Sequence, residues 1–367
     1  MIRYSPPLKV AYLGWRYSGF ATQNDEVSTP TVEDQLFQAL EACRLIADRN
    51  QCQFTRCGRT DKGVSGLGQV VALNVRSSNK KSTIYVEEPM SYIEKLNRLL
   101  PDDIRILAWA SVNPSFNARF DCMSRTYKYF FQRDGLDLNA MRQAASYMVG
   151  RHDFRNFCRL DPSKNITSYE RNILSLDINC VKDNLYEVQI KGTAFLWHQV
   201  RCIMAILFLT GQKLESPEIV KDLLDIQKFP AKPDYTMASD LPLLLYDCEF
   251  DDIDWKYSNG STEQKDIIPT PIRTYRHFYE HYSNNLIKAQ LYKTCFEEIE
   301  KHLISPIETQ SFAVKEGQKT IIPIGAGKVL RTLHYKKLFD RPRADSDEVK
   351  KEKYRLRMQR KQLAQNP

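Results

Sequence analysis

Residues 56–70, RCGRTDKGVSGLGQV, contain a single carboxylate, Asp61, close to Arg59 and Lys62 in a segment with four glycines. Glycine lets a backbone approach a ligand closely, and it adopts turn conformations that other residues avoid. A carboxylate next to cations stays ionised, so it can act as a nucleophile or as a base. By itself, an aspartate in such a loop is more often a turn residue, so these residues leave a catalytic and a structural reading open.

The spacing of this loop excludes two common phosphate-binding motifs. It lacks the G-x-x-x-x-G-K-[ST] pattern of a Walker loop. A strand-like segment follows it rather than a helix, which excludes the dinucleotide fingerprint. The loop therefore predicts close approach to a ligand without identifying a nucleotide cofactor.

Cysteine and histidine spacing predicts no metal site. The nine cysteines are an odd number, and none of them forms a C-x-x-C pair. His277 and His281 are four residues apart but belong to no HExxH motif, so a solvated helix face explains them better. Because residues 1–15 carry no secretory signal pattern, we expect reduced cysteines in a cytosolic or nuclear chain.

Size and charge indicate two or three packed units and a polyanionic partner. The chain has 367 residues, a net charge of +8 and a pI near 8.9. Its 19 tyrosines and 17 phenylalanines offer surfaces on which bases can stack, although most are expected in the core. The longest apolar segment, residues 202–211, is half of the ~20 residues that a membrane span needs, so no membrane association is expected.

Two rounds of alternating strand and helix patterns must position the loop. The order β-α-β-β-α-β occurs once before residue 112 and again over residues 124–250. We expect an α+β fold with two ferredoxin-like halves joined into one extended, mostly antiparallel sheet, with helices on one side and a central RNA-binding cleft. The predicted domains are residues 1–115, residues 116–250, and an extension over residues 251–367 with a linker and a long helix.

The predicted elements have recognisable ends. The expected ranges are strands at 9–15, 52–57, 69–75, 103–112, 124–132, 171–181, 184–192 and 241–250, and helices at 31–50, 91–100, 136–150, 195–211 and 276–304. Thr31 and Asp34 are spaced like a capping box, and Gly211 is a typical C′ residue. Ser216 and Pro217 predict the start of a short helix. Residues 349–362 carry seven basic residues and one acid, which indicates either a solvated helix or an RNA-backbone contact.

The loop also resembles a family signature. RCGRTDKGVSGLGQV resembles the G-R-T-D-x-G-V signature of TruA-type pseudouridine synthases. Five further segments resemble the other motifs of this family, in order along residues 9–250: KVAYLGWRYSGFATQ, LNRLLPDDI, FNARFDCMSRTYKYFF, GRHDFRNFC and AFLWHQVRCIMAILFLTGQ. The amino-acid sequences of the loop, the opening segment and LFDRPRADSDE are most similar to those of the eukaryotic branch that modifies positions 38 and 39 of the tRNA anticodon arm.

The resemblance implies an activity. Members of the family convert uridine to pseudouridine by breaking the N1–C1′ bond, turning the uracil and rejoining it through C5. A carboxylate attacks C1′ or deprotonates C2′, and the sequence leaves both open. Because no redox change or hydrolysis occurs, the resemblance implies no cofactor and no metal. It implies tRNA as the partner, a homodimer in which one RNA spans both subunits, and a location in the nucleus and cytoplasm.

The resemblance also implies residue roles. Asp61 falls on the catalytic aspartate and Arg201 on the arginine that the family pairs with it. Tyr127 falls on the tyrosine that stacks on the target base, and Arg59 on the arginine that occupies the space of the displaced base. Other expected substrate contacts are Lys62, Gly63, Arg125 and either Leu243 or Leu245. Cations flanking the matched motifs are expected along the cleft: Lys62, Arg119, Arg125, Lys128, Arg151 and Arg155.

Two departures and two alternatives accompany this interpretation. Gly66 replaces a usual alanine, which we expect to loosen the loop by roughly 0.5–1 kcal/mol. The family's helix often carries histidine or asparagine before methionine, valine and arginine, whereas this chain reads His198-Gln199-Val200-Arg201, and we expect a packing or RNA contact for His198. The alternatives are the related eukaryotic synthase for other tRNA stem positions and small nuclear RNA, and a non-catalytic RNA-binding protein that would tolerate Asp61→Asn.

Overall fold

The computed structural model describes residues 3–4, 6–22, 29–76, 92–164, 166–257, 270–302, 315–316 and 319–365. Its helices are α1 (Val32–Ala42), α2 (Tyr92–Asn97), α3 (Leu138–Ser146), α4 (Gln199–Gly211), α5 (Ile219–Leu224), α6 (Thr270–Glu300) and α7 (Asp347–Gln365). The first strands are β1 (Arg3–Tyr4), β2 (Pro7–Tyr12), β3 (Thr55–Arg56), β4 (Ser65–Ala72), β5 (Val75–Arg76), β6 (Ile104–Trp109) and β7 (Cys122–Gln132). The remaining strands are β8 (Gly150–Asp153), β9 (Glu170–Lys182), β10 (Leu185–Gly192), β11 (Leu243–Phe250), β12 (Lys315–Glu316), β13 (Lys319–Gly325) and β14 (Lys328–Thr332).

The architecture is α+β, with a mixed and mostly antiparallel sheet, which confirms the coarser part of the fold prediction. The chain divides into two compact units. Unit 1 comprises Met1–Arg125 and Leu244–Ile307, and unit 2 comprises Thr126–Leu243 and Glu308–Pro367. The domain ranges drawn from the motif order stay a prediction.

In unit 1, β2 lies between β6 and β4 and is antiparallel to both. β3 pairs with β4, and β11 runs parallel to β4 through Leu244 opposite Ser65 and Leu245 opposite Gly66. Buried side chains of α1, α2 and these strands form one core that includes Leu36, Leu96 and Ile104. This sheet carries the glycine loop between two of its strands, β3 and β4.

The first helix of unit 1 is shorter than predicted. The capping box at Thr31 and Asp34 is confirmed, since each side chain bonds to the other residue's backbone. The helix ends at Ala42 instead of continuing to residue 50. Arg44 has a φ of 56°, and the buried side chains of Leu45 and Ile46 turn back into the core. Burial of these two residues outweighs the helical pattern of the sequence.

In unit 2 the strand order is β7-β10-β9-β8, and the predicted hairpin of β9 and β10 is confirmed. The C′ role predicted for Gly211 is wrong, because this residue is the last of α4 and Lys213 has the positive φ, 59°. A Cβ on Gly211 would lie 2.8 Å from the Met141 sulfur, so the glycine lets α3 and α4 pack closely. The start predicted for the short helix is also wrong, since Glu218 precedes the first residue of α5.

The C-terminal extension contains strands that the sequence did not predict, β12, β13 and β14, and a helix, α7, over the basic segment for which a solvated helix was one interpretation. In unit 2, β13 pairs with β12 and β14, and α7 is attached through Asp347. Asp347 accepts a hydrogen bond from the Tyr169 hydroxyl at 2.6 Å and pairs with Lys351 at 2.7 Å. In unit 1, α6 begins at Thr270, earlier than predicted, and its predicted end near residue 304 lies outside the described residues. Among the described helices, none has the length and apolar composition needed to cross a bilayer.

Candidate active-site loop

A tight turn places Asp61 between β3 and β4. The Val64 amide donates to the Asp61 carbonyl at 3.1 Å, which makes Asp61 the first residue of a four-residue turn. Gly63, the third residue, has a φ of 81°, which favours glycine strongly. The Asp61 side chain is half-buried, and those of Arg59 and Lys62 are exposed.

Residues 12–20 of the opening segment fix the backbone on both sides of Asp61. The Phe20 amide donates to the Thr60 carbonyl at 3.1 Å, and the Gly63 amide donates to the Tyr17 carbonyl at 3.3 Å. Two side-chain bonds add to these: the Tyr12 hydroxyl with the Thr60 hydroxyl at 2.8 Å, and the Gly14 amide with Ser65 Oγ at 3.0 Å. Each such bond contributes about 0.5–1.5 kcal/mol. Two segments matched to the family from sequence therefore meet within unit 1.

Three glycines make this contact sterically possible. A Cβ on Gly14 would lie 1.9 Å from the Val64 carbonyl oxygen, and one on Gly19 would lie 2.9 Å from the Thr60 carbonyl oxygen. Gly19 also has a φ of 99°. A Cβ on Gly66 would lie 2.6 Å from the Tyr12 ring. The glycine at position 66 therefore gives space to Tyr12, a reason for it that differs from the looser loop expected from sequence.

Gln69 also holds the start of the loop. Its side chain is fully buried on β4, and its amide bonds to both backbone groups of Gly58, at 3.2 Å and 2.8 Å. The sequence analysis missed this residue, since a glutamine on a strand gives no sign that it is buried. Gln69 fixes the residue that precedes Arg59.

Exposed and half-buried cations surround the loop in unit 1. Arg56 forms an ion pair with Glu33 at 3.0 Å. Burial lowers the pKa of Arg56, and the carboxylate of Glu33 raises it. The neighbouring positive charges of Arg59 and Arg119 lower this pKa further. Arg125 donates to the carbonyls of Cys57 at 3.0 Å and Arg119 at 3.1 Å. The predicted cations Arg59 and Arg119 thus lie near Arg56, and Arg125 contacts the backbone of Cys57 and Arg119.

In unit 2, Tyr127 lies half-buried on β7. Its ring meets the Phe195 ring edge-on, with centroids 5.1 Å apart and planes at 83°. A Cβ on Gly192 would lie 2.9 Å from the Phe195 ring, so this glycine makes room for Phe195. Phe195 orients the Tyr127 ring, and the sequence analysis did not single it out.

Arg201 and His198 lie at the start of α4. The Nε of Arg201 donates to the Ala238 carbonyl at 2.7 Å, and the Ala238 amide donates back to the Arg201 carbonyl at 3.1 Å. Arg201 is therefore not an ordinary surface residue. Burial, followed by the charges of Arg201 and Arg159, lowers the pKa of His198 to about 4, so its ring is neutral at pH 7.

Comparison with known proteins identifies the family of this chain. A family model described as tRNA pseudouridine synthase matches residues 144–251. The Saccharomyces cerevisiae protein named tRNA pseudouridine(38/39) synthase is 43% identical over 356 residues, which cover 95% of this chain and 76% of the yeast protein. This chain belongs to the tRNA pseudouridine synthase family.

Mammalian members of this family match over different lengths. The Mus musculus protein of the same name is 40% identical over 92% of this chain and 73% of its own length. The Homo sapiens protein is 46% identical over 70% of this chain, and the match spans 57% of the human protein. A solved chain of the Cbf5-Nop10-Gar1 complex is 11% identical, covers 54% of this chain and 44% of its own, and has a TM-score of 0.25, which is too low to support an argument.

Several cations predicted to contact RNA in this family member lie in ion pairs. Lys128 pairs with Glu187 at 3.0 Å, Arg151 with Glu170 at 2.6 Å, and Arg155 with Asp153 at 2.8 Å. Of the two leucines expected near the uracil, Leu243 is 4% exposed and Leu245 is fully buried. His277 is half-buried and bonds to the Asp102 carbonyl at 2.7 Å, which differs from the solvated face expected for it.

The synthase fold also brings together three cysteines that the sequence analysis treated as scattered. Among the described residues, the Sγ atoms of Cys57, Cys122 and Cys248 form a group within 4.8 Å of one another. Their spacing along the chain, 65 and then 126 residues, matches no metal motif, because each cysteine comes from a different strand or strand end.

Proposed function

We propose that this chain isomerises uridine to pseudouridine at positions 38 and 39 of tRNA. The observation that carries the proposal is the signature loop, whose backbone is fixed on both sides of Asp61 by the opening segment. The yeast and mouse relatives, which match over most of this chain, bear the name of that activity.

The reaction requires little more than a positioned carboxylate. Asp61 attacks C1′, or removes a proton from C2′, as the N1–C1′ bond breaks. The uracil then turns, C5 bonds to C1′, and the C5 proton is lost while N1 gains one, so the product is an isomer of the substrate. A loop that is already ordered lowers the entropic cost of aligning the carboxylate with the sugar.

The other site residues are part of this proposal. Arg201 acts as the cation for the catalytic carboxylate, Tyr127 stacks on the target base, and Arg59 fills the space that the base leaves. These roles rest on the resemblance. Lys62, Gly63, Arg125, Leu243 and Leu245 complete the proposed substrate contacts. The position of Phe195 against Tyr127 supports the stacking role, since it limits how the ring can turn.

We propose ferredoxin-like halves over residues 1–115 and 116–250, followed by the extension. The order β6-β2-β4, with β3 beside β4, supports this for the first half. Helix α1 lies between β2 and β3 in sequence, and α2 lies between β4 and β6. This chain order and sheet order are those of a split β-α-β-β-α-β unit.

We also propose a homodimer, and an apolar stripe on α6 supports it. Ile272, Tyr275, Tyr279, Tyr282 and Leu286 recur three and four residues apart, with exposed fractions between 45% and 66%. Such spacing is typical of helices that pair with other helices.

Sedimentation of the wild-type chain should give twice the chain mass. The double variant Tyr279→Glu and Tyr282→Glu should be monomeric, whereas the control variant Glu280→Lys should remain a dimer. A monomeric wild-type chain would exclude the dimer.

The proposed compartments are the nucleus and the cytoplasm. All nine cysteines lie outside disulfides, which supports a reducing environment. Imaging of the tagged full chain in cells tests this, and a secreted or vesicular signal would oppose it.

The deciding experiment is position-resolved pseudouridine mapping on tRNA treated with purified protein. We expect new pseudouridine at positions 38 and 39 with the wild-type chain and none with Asp61→Asn. Modification confined to other stem positions or to small nuclear RNA would identify the related synthase instead. Binding without any modification would favour a non-catalytic RNA-binding protein.

A further inference from the structure

The three clustered cysteines lie in unit 1, immediately beside the signature loop. Cys57 follows β3 and precedes Gly58, Cys122 is the first residue of β7, and Cys248 lies on β11. Their exposed fractions are 2%, 7% and 3%. Three segments that are distant in sequence therefore place three thiols in one buried position.

The distances suit metal coordination. Each Sγ lies within 4.8 Å of the other two. Zinc bonds to thiolate sulfur at about 2.3 Å, which in tetrahedral geometry separates two sulfurs by about 3.8 Å. Small rotations of the three cysteine side chains would bring the sulfur atoms from within 4.8 Å to this separation. A backbone oxygen is also close, since the Cys122 thiol donates to the Ser124 carbonyl at 3.3 Å.

The charges around the trio also suit a cation. The Arg125 guanidinium lies beside the trio, since it donates to the Cys57 carbonyl at 3.0 Å. A divalent cation together with Arg125 would neutralise three thiolates.

We propose that Cys57, Cys122 and Cys248 form a binding site for a thiophilic divalent ion, Zn²⁺, with a fourth ligand supplied by oxygen. Soft thiolate ligands select zinc over magnesium or calcium. Binding releases the remaining thiol protons and involves no electron transfer. The ion ties the residue before the signature loop to β7 and β11, so its role is structural.

The competing outcome is a disulfide between two of the three cysteines. Such a bond needs an oxidant and leaves the third thiol unpaired, whereas one ion engages all three. Counting free thiols in denatured, metal-free protein separates the two. Nine free thiols agree with the metal site, and seven would overturn it.

The test uses the full chain, reduced, freed of metal with a chelator and kept without oxygen. We expect one equivalent of Zn²⁺ to bind, and Cd²⁺ to give a thiolate-to-metal charge-transfer band of the same stoichiometry. X-ray absorption of the zinc-loaded wild-type chain should show three sulfurs at about 2.3 Å. Fewer than three sulfurs, or no stoichiometric binding, would overturn the proposal without affecting the proposed isomerase activity.

Variants assign the ligands. Cys57→Ser, Cys122→Ser and Cys248→Ser should each weaken zinc binding at least about tenfold. Cys180→Ser and Cys295→Ser remove exposed cysteines and should leave it unchanged. If Cys180→Ser or Cys295→Ser weakened zinc binding and the three trio variants did not, the ion would bind elsewhere. Should a trio variant fail to fold, the sulfur count on the wild-type chain decides by itself.

Discussion

The signature loop over residues 58–64 and helix α7 differ in how the protein holds them. Backbone hydrogen bonds from residues 12–20 fix the loop, and three glycines permit contacts that any Cβ would block. Helix α7 is attached near its start through Asp347 and Lys351, and its basic residues beyond Arg355 are exposed. One region is held by its main chain, and the other presents charged side chains to solvent.

This difference matches two physical demands. A reacting carboxylate must be placed to within a fraction of an ångström, so the backbone around it must be rigid. Attraction of a polyanion depends on the number of charges within reach and tolerates mobile side chains. We therefore expect changes in the loop to reduce the reaction rate and changes in α7 to alter the salt dependence of RNA binding.

The largest expected effect is that of Asp61→Asn. Removing the charge without changing the shape should lower the single-turnover rate by at least about 10³-fold, because the chemical step loses its nucleophile or base. Affinity for tRNA should change less than about threefold, since phosphates supply most of the binding. Asp183→Asn makes the same change in the β9–β10 turn and should alter neither quantity. If Asp61→Asn lowers the reaction rate and the tRNA affinity equally, the loop and α7 do not divide catalysis and RNA binding between them.

Gly14→Ala should be the next largest change. Its new Cβ would lie 1.9 Å from the Val64 carbonyl oxygen, so the loop or the opening segment must shift. We expect a loss of about 1–3 kcal/mol in the free energy of unfolding, together with a slower reaction. Gly58→Ala is the matched control, because no atom lies within 4 Å of the position that its methyl group would take. It should change stability by less than about 0.5 kcal/mol in denaturant titrations.

Neutralising α7 should produce a moderate effect confined to binding. Arg357→Gln, Arg360→Gln and Lys361→Gln combined should reduce the slope of log K against log salt by about 2–3, if each side chain contacts one phosphate. The equivalent triple change at Lys288 and Lys293 on α6 and at Lys301 just after it controls for total charge. An unchanged slope would mean that α7 is only a solvated helix.

The smallest expected effect concerns pH. Burial holds the folded-state pKa of His198 at about 4, below its ordinary 6.5, so the unfolded chain takes up the proton first as the pH falls. The stability that this group contributes is complete above pH 6.5 and is lost progressively toward pH 4. His198→Asn, which suits the left-handed φ of 62°, should reduce the loss over this range by on the order of 1 kcal/mol.

The exposed His334 provides the control for that measurement. His334→Asn should leave the pH dependence of the melting temperature unchanged. If both variants show the same pH dependence as the wild-type chain, His198 at the start of α4 is not its origin. His198 would then behave like a solvent-exposed histidine.

By itself the sequence determined the family signature, the α+β class, the capping box at Thr31 and the β9–β10 hairpin. Each of these depends on neighbouring residues, whose spacing and turn chemistry are visible in one segment. The end of α1 and the start of α5 were not predictable in this way. At the end of α1, the burial of Leu45 and Ile46 outweighs the local pattern.

Only the tertiary structure decided what surrounds the loop. Gln69 bonds to Gly58, Gly66 makes room for Tyr12, and Cys57 meets two cysteines that are 65 and 191 residues away in sequence. Such contacts form when strands pair and helices pack, so residue spacing carries no record of them. The sequence specifies which groups can do chemistry, and the packing of distant segments decides which of them meet.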